Sequence, residues 1–99
     1  GVDLAADTGT AIACFADGTV TAVGESSSYG KYCTVTHANG CTTLYAHCGR
    51  ISVSSGAAVK KGEKLGEVGE TGMATGPHLH FELQKDGVYL NPIYYVETA

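Results

Sequence analysis

Nowhere in this chain does a 3.6-residue apolar period last ten residues, whereas apolar and polar residues alternate repeatedly between glycine-bearing turns. A helix needs the first pattern and a half-buried strand the second. Asp17–Gly18, Asn39–Gly40 and Asp86–Gly87 carry the strongest short hairpin signals, because a type I′ turn needs positive φ at both central residues. The sequence therefore predicts an all-β, antiparallel sheet of hairpins with no α-helix of ten or more residues. Ala11–Ala16 and Thr19–Val23 are expected to flank the first turn, Tyr32–His37 and Cys41–His47 the second, and Pro77–Leu83 and Val88–Leu90 the third. Glu25–Gly30 and Glu70–Gly76 read as loops rich in Gly, Ser and Thr. The 99 residues make a single domain, 1–99, whose core must be thin.

Register decides which residues can meet. A two-residue turn at Asn39–Gly40 sets Thr36 opposite Thr43, Thr34 opposite Tyr45, and Tyr32 opposite His47. One hairpin face then carries Tyr32, Thr34, Thr36, Thr43, Tyr45 and His47. The other, Cys33, Val35, Leu44, Ala46 and Cys48, is the expected core side. His37 lies on the opposite face from His47 and is given no role. In Pro77–Leu83, Leu79, Phe81 and Leu83 point one way, and His78, His80 and Glu82 the other.

The net charge is −4, and the longest basic run is Lys60–Lys61. Phosphate-driven binding of nucleic acid is excluded on that balance. No apolar run approaches the ~20 residues of a membrane span, so no membrane insertion is expected. The cysteines, Cys14, Cys33, Cys41 and Cys48, form no CxxC pair, which removes a zinc ribbon. Cys41 falls on the opposite hairpin face from Cys33 and Cys48, and those two are diagonal. Buried free thiols are the expected state, and a bridge to Cys14 is the alternative.

Asp3, His47, His78 and His80 are the candidate chemical residues. A catalytic zinc takes three N or O protein ligands and leaves one position open. A neighbouring histidine can then serve as general base or hold an oxyanion. Taken alone, a His-x-His pair on a strand is commonly two solvated residues.

Several segments together say more. Gly1-Val2-Asp3-Leu4-Ala5-Ala6, Ala16-Asp17-Gly18-Thr19-Val20, Leu44-Tyr45-Ala46-His47, Val59-Lys60-Lys61-Gly62, Thr75-Gly76-Pro77-His78-Leu79-His80-Phe81-Glu82 and Asn91-Pro92 resemble, in order, the lysostaphin/LytM-type zinc metallopeptidases. The resemblance implies a groove-bearing antiparallel β-sheet that binds one zinc ion. Asp3 and His80 match metal ligands, and His47 and His78 match catalytic histidines. It implies peptide bonds of bacterial peptidoglycan, in cross-links or stem peptides, as substrate, and extracytoplasmic action. The family's first histidine ligand would stand two residues before Gly1, in a His-x-Gly-Val-Asp pattern that this sequence does not contain. The expectation is therefore a domain lacking its N-terminal edge, with its third zinc ligand missing and little or no activity by itself. The four retained residues argue for an active parent. The alternative is a non-cleaving scaffold or regulator of wall hydrolysis or spore formation, with a protein partner.

Overall fold

The computed structural model describes residues 2–74, 76–86 and 88–90. It contains β1 (Val2–Ala5), β2 (Ala11–Ala13), β3 (Gly18–Ser26), β4 (Gly30–His37), β5 (Cys41–Ile51), β6 (Ala58–Val59), β7 (Lys64–Val68), β8 (His78–Lys85) and β9 (Val88–Leu90). The path across the sheet runs β1-β8-β5-β4-β3-β6; β9 also pairs with β8, and β7 pairs with both β5 and β2. Every pairing is antiparallel. The only helical element among the described residues is the three-residue 3₁₀ turn Ala38–Gly40. No helix among them is long and apolar enough to cross a membrane. The all-β expectation holds.

The apolar side of the sheet packs into one core. Val20, Val35, Tyr45 and Leu65 are among its fully buried side chains, with Phe81 and Leu83 from β8 and Ile12 from β2 closing over them. Each full-size aliphatic side chain buried this way is worth roughly 1.5–3 kcal/mol. Phe81 is sandwiched by rings, with centroids 5.4 Å from Tyr45 and 5.8 Å from Phe15.

Two expected hairpins differ from what forms. Ala11–Ala13 does not pair with the strand after Asp17–Gly18; it pairs with β7, while Gly18 opens β3 and lies opposite both His37 and Val59. A distant partner outcompetes the local turn signal.

The β4–β5 connection has three residues, not two. Asn39 (φ 63°) and Gly40 (φ 75°) do take positive φ, but Ala38 joins them in the turn. The pairing is Thr36 with Thr42, Val35 with Thr43, Thr34 with Leu44, and Cys33 with Tyr45. A one-residue shift exchanges the faces of a strand. Thr43 and Tyr45 are therefore buried in the core, and Leu44, expected in the core, faces the groove beside Thr34 and Thr42. The polar atoms carried inside are satisfied. Tyr45 Oη accepts from Phe15 N at 3.0 Å and lies 2.8 Å from Thr43 Oγ1, which is itself 2.8 Å from His37 Nε2. His37 Nδ1 donates to the Asp17 carbonyl at 2.9 Å. His37 thus belongs to a buried network that ties the segment before β3 to the sheet.

The third hairpin forms where expected. Leu83 pairs with Leu90 and Lys85 with Val88, Asp86 having φ 51°. Gly87 and Asn91–Pro92 lie outside the described residues.

Candidate active site

Strand β8 supplies the site's frame. Its alternation sends Phe81 and Leu83 into the core and leaves His78, His80, Glu82 and Gln84 on the other face. On one side β1 pairs with β8 so that Asp3 lies directly opposite His80. Directly paired residues hold their side chains close, and Asp3 Oδ1 lies 2.7 Å from His80 Nδ1. His78 is one alternation away on the same face, with Nε2 3.7 Å from the same Asp3 oxygen.

On its other side β8 pairs with β5 as far as Ala46–His80, after which β5 turns to pair with β7 from Cys48 onward. His47 sits at that change of partner and adopts φ +59°. Simple alternation in the observed register would send residue 47 into the core. The left-handed residue breaks the alternation, as a bulge does, and the ring comes to lie 4.9 Å from His78 and 6.0 Å from His80, centroid to centroid. The conformation is held from both sides. His47 N–H donates to the Tyr29 carbonyl at 2.7 Å, and its carbonyl accepts from Gly69 N at 3.1 Å.

Hydrogen bonds fix which ring nitrogen each histidine presents. A carbonyl can only accept, so His47 Nδ1 carries its proton toward the Thr71 carbonyl (2.7 Å), and His78 Nδ1 toward that of Gly76 (2.9 Å). In its neutral form each ring then carries its lone pair at Nε2. His80 differs: it stands between two carboxylates, Asp3 at Nδ1 and Glu82 Oε2 at Nε2 (2.9 Å). Tyr29 donates its hydroxyl to the same Glu82 oxygen at 2.9 Å and stacks on His80 with an interplanar angle of 23°. The hydrogen bond from His80 holds the Asp3 carboxyl below the ordinary carboxylate range, against the opposing effect of desolvation.

Beyond Glu82 the face opens into a groove of about 240 Å³ lined by Tyr29, Thr34, Thr42, Leu44, Glu82 and Gln84. All six Lys and Arg residues lie among the described residues, and none lines this cavity.

All four candidate residues named from the sequence are thus brought to one place. Glu82, Tyr29, Thr71 and Gly76 also belong there. Glu82 was legible as a member of the polar strand face, but without an assigned role. Tyr29, Thr71 and Gly76 lie in or beside loops, where no periodic signal exists. An imidazole and a carboxylate facing each other at an open groove form a donor set that suits zinc, and Glu82 gives the imidazole the outer carboxylate such ligands usually have. No group of three or more His, Cys, Asp or Glu positioned to hold a metal occurs among the described residues.

The family model described as peptidase family M23 matches residues 1–92. The chain belongs to peptidase family M23. This M23 domain is similar to the DD-carboxypeptidase/endopeptidase Mpg of Neisseria meningitidis serogroup B, at 45% identity over 93 residues that cover 94% of this chain and 21% of that protein. It is also similar to the peptidoglycan DD-endopeptidase ShyC of Vibrio cholerae, at 42% over 96 residues covering 93% and 21%. Among solved structures, a zinc-containing peptidase from Vibrio cholerae superposes with a TM-score of 0.88 at 36% identity, over 91% of this chain and 28% of that one. The catalytic domain of lysostaphin from Staphylococcus simulans does so with a TM-score of 0.89 at 28% identity, over 96% and 76%. The M23 domain spans about a fifth of the length of these two curated relatives.

Proposed function

We propose that this domain hydrolyses peptide bonds in the cross-links or stem peptides of bacterial peptidoglycan, outside the cytoplasm, as a zinc-dependent endopeptidase. Asp3 and His80 would hold the metal, and His47 and His78 would act on the reacting groups. One observation carries the reading. Asp3 Oδ1 and His80 Nδ1 meet at 2.7 Å at the head of a groove, while two further imidazoles stand beside them with Nδ1 tied to main-chain carbonyls. The names of the relatives, a DD-carboxypeptidase/endopeptidase and a peptidoglycan DD-endopeptidase, support the substrate class.

Zinc held there supplies Lewis acidity, polarising a carbonyl and easing deprotonation of water near neutral pH. The chain's own residues supply the rest. His47 and His78 each offer Nε2 as a proton acceptor, and once protonated each becomes a donor to a developing oxyanion or a departing amine. Their Nδ1–H bonds prevent the tautomer that would place a proton where a lone pair is needed. Glu82 and Tyr29 keep His80 in plane and in register with Asp3. The cation-free groove receives the neutral backbone of an extended peptide, with threonine hydroxyls and Gln84 available to its amides.

Two protein donors make a weak zinc site, so the third donor is proposed to be a histidine two positions ahead of Gly1, as the resemblance implies. The test compares zinc titration and peptidoglycan digestion by this chain with those of a protein carrying His-x before Gly1. The expected result is weak zinc binding and little digestion by the first, and tight stoichiometric zinc with release of muropeptides by the second. Tight zinc binding by this chain alone refutes the ligand assignment. An extended protein that folds and still binds no zinc overturns the enzymatic reading.

A further inference from the structure

The residue that orients His47 is itself held by an arrangement that the chemistry above does not use. Thr71 lies in the loop between β7 and β8. Its carbonyl accepts from His47 Nδ1 at 2.7 Å. Its hydroxyl donates to the Cys48 carbonyl at 2.6 Å and accepts from Lys31 N at 3.0 Å. One side chain therefore ties the loop to β4 and to the residue next to His47 in β5. The backbones are as close as they can come. Gly30 (φ +63°) and Gly72 (φ +74°) pack against each other, and a Cβ on Gly30 would overlap the Thr71 backbone. Met73 N adds a hydrogen bond to the Ser28 carbonyl at 3.2 Å.

We propose that Thr71 is a positioning residue for His47. Its hydroxyl anchors the loop so that its carbonyl holds the ring as the Nδ1–H tautomer, with the lone pair left at Nε2. The inference rests on the reading of His47 as a proton-transfer group, but its mechanics do not depend on the metal. The hydroxyl acts through two main-chain groups that move with β4 and β5, so the loop carbonyl and the imidazole share one rigid frame. Without the hydroxyl, the Lys31 N–H loses its partner and the loop is held on that side by the glycine contacts and the Met73–Ser28 main-chain hydrogen bond. The carbonyl can then withdraw, and among the described residues no other hydrogen bond to the His47 ring selects between its two neutral forms.

The test reads the tautomer directly, from the side-chain ¹⁵N shifts of His47 in the metal-free 99-residue chain at a pH where the ring is neutral. Wild type is expected to show a single Nδ1–H form, and Thr71→Ser, which keeps the hydroxyl, the same. Thr71→Val keeps the shape and loses the hydroxyl, and the ratio of Nδ1–H to Nε2–H should fall about fivefold, the worth of one neutral hydrogen bond. A pure Nδ1–H tautomer in a folded Thr71→Val protein overturns the proposal. So does an Nε2–H or mixed tautomer in wild type, a result that needs no variant to fold. If Thr71→Ser shifts the tautomer as much as Thr71→Val, the hydroxyl is not the anchor and the proposal also fails. Peptidoglycan digestion by the zinc-loaded, N-terminally extended protein is scored separately. A tautomer that shifts as expected in a protein that never digests peptidoglycan removes the enzymatic reading and leaves the positioning role standing.

Discussion

Replacing Glu82 with Gln tests whether the carboxylate behind His80 supports a metal ligand. Glu82 Oε2 receives His80 Nε2 and the Tyr29 hydroxyl, each at 2.9 Å, and its side chain is 12% exposed. Gln keeps the shape and removes the charge. Its amide oxygen can still accept a hydrogen bond, but its NH₂ group brings protons toward a ring N–H and a hydroxyl that already donate. Losing the outer carboxylate of a metal-binding histidine weakens metal binding about 10- to 100-fold, or about 1.4–2.7 kcal/mol at 1.36 kcal/mol per decade. The pair is largely shielded from water, which places Glu82→Gln toward the upper end. Tyr29→Phe keeps the ring stacked on His80 and removes one neutral donor, so it should cost only a few-fold, about 0.5–1.5 kcal/mol. The assay is competition for zinc between a chromophoric chelator and the protein, made on this chain and on the form extended by His-x. A folded Glu82→Gln protein that binds zinc within about twofold of wild type would show that Glu82 does not support a ligand. A larger loss in Tyr29→Phe than in Glu82→Gln would assign the support to the stacked ring instead.

Tyr45→Phe should destabilise the fold by about 1–3 kcal/mol, since it leaves Phe15 N–H without its acceptor and Thr43 with one partner fewer. Thermal unfolding should fall by roughly 4–8 °C per kcal/mol; an unchanged midpoint would mean that this network carries no stability. Asp3, held below its ordinary value of 3.8 by His80, contributes stability that is present above that value and lost as pH falls through its lower folded pKa. Carbon-detected titration of the Asp3 carboxyl should show the depressed midpoint, and His80→Ala should return it to the ordinary range. Burial pushes the Cys33 thiol up to about 12 and that of Cys48 to about 11, and raises Cys14 as well, while Cys41 is only half-buried. Iodoacetamide at mildly alkaline pH should therefore label Cys41 first in the folded chain and all four after unfolding without reductant; a species two hydrogens lighter that resists alkylation would reveal a bridge.

The parts of this fold that were legible in the sequence are those whose information is local. The alternation His78-Leu79-His80-Phe81-Glu82-Leu83 announces both faces of β8, and Asp86 introduces the turn into β9 as expected. The β4–β5 hairpin was misread because its register depends on a partner far away in the chain. Thr43 and Tyr45 look like groove residues until Phe15, 30 positions from Tyr45, supplies an N–H for the tyrosine oxygen. Leu44 looks like a core residue until the three-residue turn shifts it by one. His47 was expected in the groove from a register that does not form. It comes to lie beside His78 and His80 because φ +59° at the change of strand partner reverses the parity a second time. The local pairing expected for Ala11–Ala16 failed for a related reason: β7 offers a better partner than the strand beyond the turn. Tyr29, Thr71 and Gly76 act in or from loops, where a sequence carries composition but no periodicity.

His47 and His78 take their orientation from main-chain carbonyls, at Thr71 and Gly76. Every amino acid brings that acceptor, so no codon change can delete it. In a saturation scan, then, damage to these two rings should not map onto the acceptor atoms themselves. It should map onto whatever steers the loop past the strand. Gly30 and Gly72, where any added Cβ meets opposing backbone, should accept no other residue. Gly76 is different: its carbonyl accepts from His78 as that of Thr71 does from His47, yet no described atom lies within 4 Å of where its Cβ would stand. Side chains should be accepted there, so that of two positions performing the same service for two histidines, one is genetically silent and the other is guarded by its own hydroxyl and by its neighbours.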